Sequence, residues 1–506
     1  MNPFTRFNRS HAITFLVLLA VLASMLSMTN YMNERESVQG FWRSRMAALS
    51  LSDRLRQTSD DLTRMVRLYA VTGDPLYREY FDEILAIRNG VAPRPRNYFT
   101  TPYWDIVLNS GERFGEPGPA IPIRTLANRA GMLEEENALL QQAEDASNAL
   151  AVIENEIMEV IAAAIEAGDG DYALAGETLA AMKRLHSQEY HGAKAEIMSN
   201  LAELGRNVRA TFGEARRNLI ALSTSSMRDN VILLALTLAL VAVDLWVQWR
   251  RKGLKAALES RARGIGLVAA VLAFASIVLS ISLFTNFLRD QPAVSRTISE
   301  RVAAREFSDS LRQTSDDLTR MARLYAVTGE ERYRQYFDEI LDIRNGIEPR
   351  PDEYFDLPYW DIVLETGERP GSASQTAAIR SLASTAGLSP AELAEFGKAE
   401  DASNALAIIE NEVMDVVDAS LAARGGDYAL EGETLEAMLR LHGEEYHAAK
   451  ALVMQPLVEL ERLVQEQYDT WINGTIRFIT QSLFTGYHAI IAAFLLLAVS
   501  IWLRRR

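Results

Sequence analysis

The chain has 506 residues, no cysteine, and 67 acidic against 52 basic side chains, for a net charge of −15. An acidic balance of this size argues against nucleic-acid binding, which calls for a basic face. The absence of cysteine suits an exported protein that makes no disulfides.

Four apolar runs are long enough to cross a bilayer, which takes roughly 20 residues as a helix. They lie at Ile13 to Met32, Val231 to Trp249, Ile265 to Leu288 and Tyr487 to Leu503. Arg6 and Arg9 ahead of the first run, with Leu22-Ala23-Ser24 inside it, resemble a weak signal-peptide pattern. Its counterpart at Ile265 lies mid-chain, so the first run is read as an uncleaved anchor. Arg250, Arg251, Lys252, Lys255, Arg261 and Arg263 fill the link between the second and third runs, and the chain closes on Arg504-Arg505-Arg506. By the bias of Lys and Arg toward the cytoplasm, this link and both termini belong inside and the two long segments outside. The expected division is a tail and first span at 1–32, an outer segment at 33–229, a span at 230–249, a basic link at 250–263, a span at 264–288, an outer segment at 289–485, and a last span with basic end at 486–506. The inner segments, of about eleven, fifteen and three residues, are too short for a kinase or cyclase, since a domain needs roughly 50 residues or more.

The outer segments are two writings of one text at an offset of 256: Gln57 to Met65 returns as Gln313 to Met321, and Tyr103 to Leu108 returns as Tyr359 to Leu364. A period this long marks a duplicated module rather than a solenoid. Within each copy the periodicity is helical. Leu51, Leu55, Leu62, Met65, Val66 and Tyr69 form one stripe, and Thr72-Gly73-Asp74-Pro75 ends it. A second helix runs from Pro75 to Arg88 and stops at Asn89-Gly90. Pro93, Pro95, Pro102, Pro117, Pro119 and Pro122 then enforce an irregular insert, with one short helix at Tyr103 to Leu108. Two longer helices follow at Leu133 to Ala167 and Tyr172 to Leu222. The expected fold is therefore all-α: four transmembrane helices and two tandem extracytoplasmic helical bundles, each with a Pro-rich insert. Matching stripes at Ile153, Ile157, Val160 and Ile409, Val413, Val416 suggest that the copies pack on each other through these long helices about an approximate twofold axis.

Arg64, Arg67 and Tyr69, with Arg320, Arg323 and Tyr325, place cations beside an apolar stripe, and Arg offers a planar fork for a carboxylate or phosphate. A small anionic ligand fits that chemistry, whereas pairing with Asp60 or Asp61 would make the same arginines structural. The insert adds Arg94, Tyr103 and Trp104, with Arg350, Tyr359 and Trp360, as a candidate recognition surface, unless the aromatics fold back as a cap on the bundle. Arg88 and Arg344 complete the candidate binding set. His186, Glu189, His191 and Glu154 invite a metal, but the Glu-x-x-His pair that such bundles use is missing, so no metal or cofactor is expected. Asp244, near one end of the second span, is read as structural. No nucleophile with a base, phosphate loop or nucleotide fingerprint occurs, and no enzyme activity is expected.

The motifs Gln57-Thr58-Ser59-Asp60-Asp61-Leu62-Thr63-Arg64-Met65, Tyr69-Ala70-Val71-Thr72-Gly73, Ile87-Arg88-Asn89-Gly90, Pro93-Arg94-Pro95 and Tyr103-Trp104-Asp105 together resemble the outer sensor region of bacterial transmembrane receptors of the chemoreceptor, hybrid histidine kinase and nucleotide cyclase types. The resemblance implies a periplasmic helical bundle that passes an outside event inward through its flanking spans. Two classes of function follow: a sensor-like protein of the bacterial inner membrane that acts through a ligand and a membrane partner or self-association, or a structural scaffold or accessory subunit of a larger membrane complex. A ligand-sized cavity lined by Arg and Tyr distinguishes the first.

Overall fold

In the computed structural model the described residues are 9–505 except 97, 99–101, 259–260, 353, 356–357 and 375; side chains in parts of the long helices, among them 33–43, 251–264 and 471–480, also fall outside the description. Seven helices run through the first half: α1 (Arg9–Thr72), α2 (Pro75–Arg88), α3 (Tyr103–Ser110), α4 (Ile123–Ala130), α5 (Glu134–Ala167), α6 (Glu177–Arg184) and α7 (Gln188–Leu258). The second half repeats them as α8 (Arg261–Thr328), α9 (Glu331–Asn345), α10 (Tyr359–Thr366), α11 (Ile379–Thr385), α12 (Pro390–Ala423), α13 (Glu433–Arg440) and α14 (Glu444–Arg505). Among the described residues there is no strand, only isolated bridges at Pro95 with Pro117 and Pro351 with Ala373.

Three features depart from the sequence expectation. The helix expected from Tyr172 to Leu222 is broken, because α6 ends at Arg184 and a turn at 185–187, with His186 N donating to Lys183 O, precedes α7. A short α4 follows the proline-rich stretch, entered from Pro122 and stopped by Gly131 at φ 61°. The basic link at 250–263 is largely helical, with α7 reaching Leu258 and α8 starting at Arg261.

Contacts group the chain into two units. One gathers Met1–Trp42, Phe212–Ser299 and Tyr468–Arg506; the other gathers Arg43–Thr211 and Glu300–Gln467. The borders fall 10 to 18 residues inside the outer segments expected from hydropathy.

The first unit holds four helical windows long and apolar enough to span a membrane: Phe15–Met32, Thr224–Val243, Ile265–Asn286 and Gln481–Ser500. Two of them, the second and the fourth, start earlier than expected; in the second, Asn230 Nδ2 donates to Ser226 O at 2.9 Å and to Ser27 Oγ at 3.0 Å. Each helix buries one narrow seam: Val17, Val21, Ser24 and Met28; Met227, Asn230 and Leu234; Ile277, Ser280 and Phe284; Leu483 and Ile490. Residues three and four apart share a face, which is why one stripe suffices. The seams keep the 256-residue register: Ser24 Oγ donates to Asn230 Oδ1 at 2.8 Å, and Ser280 Oγ donates to Gly486 O at 3.0 Å. The side chain of Asp244 lies outside the described residues.

The second unit contains both duplicated modules around one apolar core that includes Leu62, Met65, Tyr80, Phe81, Trp104, Ile157 and their counterparts. Local chemistry sets the turns. Asp74 Oδ1 accepts from Leu76 N at 2.9 Å to cap α2, with Pro75 at its first position. The side-chain bonds that join the copies lie between the first helices, where Arg56 Nη1 donates to Gln313 Oε1 at 3.3 Å, and between α7 and α10, where Gln188 Nε2 donates to Glu365 O at 2.7 Å, and not on the α5 stripe foreseen for them. Ile157 is fully buried in the core, and Ile153 and Val160 pack against that core.

Gly73 sits at φ +69°, and a Cβ there would stand 2.4 Å from the Tyr172 ring, whose hydroxyl is bonded to Ala70 O. Gly111 has a similar φ of +70° with nothing within 4 Å. Gly73→Ala should therefore lower the melting temperature of the full chain in detergent, followed by circular dichroism, clearly more than Gly111→Ala, which bears only the backbone strain of about 1 kcal/mol. Equal losses would show that the Tyr172 ring yields.

Candidate functional site

Thr63, Arg64 and Arg67 lie one helical turn apart on the buried side of α1, and Tyr190, His191 and Lys194 lie likewise at the start of α7. Their copies Thr319, Arg320, Arg323, Tyr446, His447 and Lys450 face them, and together the two sets line a cavity of about 100 Å³. Asp60 and Asp105 with Asp316 and Asp361 complete its charged wall.

The buried glutamates beneath the cavity and the lysines at its wall are partnered within their own modules. Glu154 of α5 accepts from the Tyr190 hydroxyl at 2.5 Å and from Thr63 Oγ1 at 3.2 Å. Glu410 accepts from Tyr446 at 2.5 Å and from Thr319 at 2.9 Å. Burial raises the carboxyls of Glu154 and Glu410 above their ordinary value, despite these donors and the nearby lysines. Lys194 Nζ pairs with Asp60 at 2.9 Å and donates to Ser59 Oγ at 2.9 Å; Lys450 repeats this with Asp316 at 2.8 Å and Ser315 at 3.0 Å. Enclosure would raise Asp316, but Lys450 and Arg64 of the other copy outweigh it and hold it down to about 2.

The two candidate arginines of each copy differ. Arg64 Nη1 lies 2.8 Å from Asp105 Oδ1 and 3.8 Å from Asp61 Oδ1; Arg320 matches it with Asp361 at 2.8 Å and Asp317 at 3.6 Å. Arg67 instead donates to the carbonyl of Leu185 at 3.1 Å and lies 5.7 Å over the Tyr190 ring. Arg323 donates to Leu441 O at 2.7 and 3.2 Å and lies 5.3 Å over Tyr446. Burial pulls both guanidinium groups below their ordinary value.

Other residues proposed from sequence do not reach the cavity. Tyr69 is buried in the core with Arg78 at its hydroxyl, and the Tyr325 hydroxyl donates to Asp418. Arg88 is enclosed and clamps α2 to α5, donating to Ser147 Oγ at 2.8 Å and Asn148 Oδ1 at 2.6 Å; Arg344 does the same with Ser403 and Asn404 at 2.8 and 2.6 Å. Tyr103 and Trp104 are 1% exposed and hence no recognition surface: Trp104 Nε1 donates to Tyr98 OH at 2.9 Å, and Tyr103 stacks on Phe114 at 4.6 Å. Tyr359 and Trp360 are equally enclosed, with Trp360 Nε1 donating to Tyr354 OH at 3.0 Å. Aromatics of this size need burial, and the insert folds back to supply it. Arg94 is half-buried away from the cavity, and Arg350 lies 5.0 Å over the Phe355 ring. Asn97 and Phe99 fall outside the described residues.

Sequence reasoning missed Asp60, Thr63, Asp105, Tyr190 and Lys194 as parts of one site. A signal was available: Tyr190-His191 with Lys194 four positions after the tyrosine recurs at Tyr446-His447 and Lys450, a lysine repeated on a buried helix face. His191 and His447 do line the cavity, but among the described residues no group of three or more His, Cys, Asp or Glu side chains is placed to hold a metal ion.

No protein-family model, curated protein or solved structure matches the chain. The functional reading rests on the cavity.

Asp61 and Asp317 lie just behind this wall. Burial, reinforced by Asp105 and Asp60, pushes Asp61 up to about 8 against the pull of Arg64, and burial pushes Asp317 up to about 7 against Arg320. An unfolded aspartate titrates near pH 4, so between about pH 4 and 8 the folded chain holds more protons. The contribution of these two groups to stability is then fully present below that window and declines as pH rises through it. The double variant Asp61→Asn, Asp317→Asn, measured by melting temperature from pH 5 to 8.5, should show a flatter decline than the parent. An unchanged slope would show that both carboxylates are already ionised at pH 5.

Proposed function

We propose that the chain is a sensor-like integral membrane protein of the bacterial inner membrane, with two duplicated helical bundles on the periplasmic side and a small anion held in the cavity between them. The four apolar helices support membrane residence. The basic link at 250–263 and the basic C-terminus favour the cytoplasmic side for both. The observation that carries the sensing role is the cavity of about 100 Å³ lined by arginine, lysine and tyrosine of both modules. A scaffold would have closed that space with side chains, since interiors pack to near crystal density. A ligand that touches both modules favours the arrangement that closes on it, and the bias passes to a membrane partner through that choice. The resemblance to receptor sensor regions points the same way. Proline insert, bundle and spans are then parts of one receiving module, written twice.

The tight pairing of Arg64 with Asp105 at 2.8 Å favours the other reading, a structural accessory subunit in which such pairs are cement. Melting of the full chain in detergent separates the two. Millimolar succinate, phosphate or sulfate should raise the melting temperature by a few degrees through mass action, and equal ionic strength of sodium chloride should not. No shift with any of these anions would favour the scaffold.

Topology is checked separately. Val91 and Ile347 are 80% and 67% exposed, so Val91→Cys and Ile347→Cys should label with an impermeant maleimide from the periplasmic side, while Lys255→Cys should label only after the membrane is opened. The reverse pattern would invert the protein.

A further inference from the structure

The charges on the cavity wall do not close. Arg64, Arg67 and Lys194 with their three copies bring six cations, while Asp60, Asp105, Asp316 and Asp361 bring four carboxylates to the wall. Asp61, Asp317, Glu154 and Glu410 lie behind it, but burial raises all four toward their neutral forms, so the wall keeps an excess of positive charge. The surplus can be located. Arg64 has Asp105 at 2.8 Å and Lys194 has Asp60 at 2.9 Å, whereas Arg67 and Arg323 meet a backbone carbonyl and the face of a tyrosine and make no ion pair. Both are at least nine-tenths buried, at 9% and 8% exposure, and Arg67 Nε has no hydrogen-bond partner. A buried charge without a carboxylate partner is costly, and Arg67 and Arg323, unlike the similarly buried Arg88 and Arg344, open onto the cavity, where a ligand can supply the counter-charge. Two further atoms are orphaned at the same wall: Nε2 of His191 and Nε2 of His447, buried and unpartnered in both copies.

We infer that the cavity binds one small dianion per chain, held between Arg67 of the first copy and Arg323 of the second, rather than one anion in each copy. This rests on the anion-pocket reading above and specifies its ligand. One cavity is shared by two equivalent half-sites, each carrying one unmatched cation, so a ligand with two negative charges closes both at once. A volume of about 100 Å³ admits a group of the size of inorganic phosphate or a short dicarboxylate. Both ligands share the chemistry of a compact dianion with several acceptor oxygens, which suits guanidinium donors.

The histidines make the binding proton-coupled. The carbonyl of His186 engages one side of the His191 ring and that of His442 the His447 ring, which leaves Nε2 bare in the neutral imidazoles. A bare nitrogen repels an anion, and only a protonated one donates to it. Burial first, then Arg67, Arg320 and Arg332, push His191 down to about 3; burial, Arg323 and Arg64 push His447 down to about 4. A bound dianion opposes the part of that push that comes from the cations while the larger part from burial remains, so we expect proton uptake on binding to be partial and to grow as pH falls.

Titration calorimetry of the full chain in detergent, with succinate and with inorganic phosphate as probes and acetate as the monoanion, tests this. The expected result is one site per chain for a dianion, acetate weaker by at least about tenfold, and proton uptake that grows as pH falls from 8 to 6. The tighter of succinate and phosphate assigns the ligand as organic or inorganic. Arg67→Gln and Arg323→Gln should each weaken binding about tenfold or more, with Arg67→Lys recovering part of the loss. His191→Gln with His447→Gln should abolish proton uptake, and unchanged helix content certifies that the variants fold. Two sites per chain, or acetate equal to the dianions, would overturn the shared-dianion inference and leave the anion pocket standing. Silence with all three probes would overturn both.

Discussion

Burying charge where two modules meet is the constraint around which the rest of the outer unit is arranged. Six cations and four carboxylates line one small space, and most of them are buried. Such groups persist only with hydrogen-bonding partners. The partners come from every side: Ser59 and Asp60 from α1, Asp105 from α3, Glu154 from α5. Each long-range bond fixes the register of one helix against another, so the polar layer specifies how the bundle closes while the apolar core beneath supplies most of the driving force.

The Pro-rich insert is part of the same device. Its aromatics do not face outward; they bury themselves around Tyr80 and Trp104, and in doing so deliver α3 with Asp105 at its first turn to the side of Arg64. Gly118 N donates to Arg94 O at 2.7 Å and Arg96 N donates to Glu116 O at 3.0 Å, which ties the two ends of the insert together. An irregular segment is thereby held rigidly enough to place one carboxylate. The second copy repeats the arrangement through Trp360 and Asp361.

On the proposed reading of the cavity as an anion site, duplication within one chain has a consequence for binding. Equivalent half-sites in two separate chains must meet before a ligand can bridge them, and association then opposes binding entropically. When both halves belong to one polypeptide they are already at high effective concentration. The price is that the copies are free to diverge, as Asn230 and Gly486 have on the apolar seam, whereas the cavity wall is the same in both.

What the sequence determined by itself is whatever depends on neighbours along the chain. Helical periodicity, the Gly73-Asp74-Pro75 turn, the four apolar runs and the 256-residue repeat are local or additive properties, and they are legible without coordinates. The tertiary structure decided which charges are spent and which are left over. Arg64, Arg67 and Arg88 look alike in sequence, yet Arg64 is paired with Asp105, 41 positions away, Arg88 is enclosed by Ser147 and Asn148, about 60 positions away, and Arg67 meets a backbone carbonyl at the cavity wall. Lys194 became visible as part of the site only when α7 was laid against α1. The physical reason is that a side chain's partner is set by how the helices pack, and that information is spread over both copies of the module rather than written beside the residue it governs.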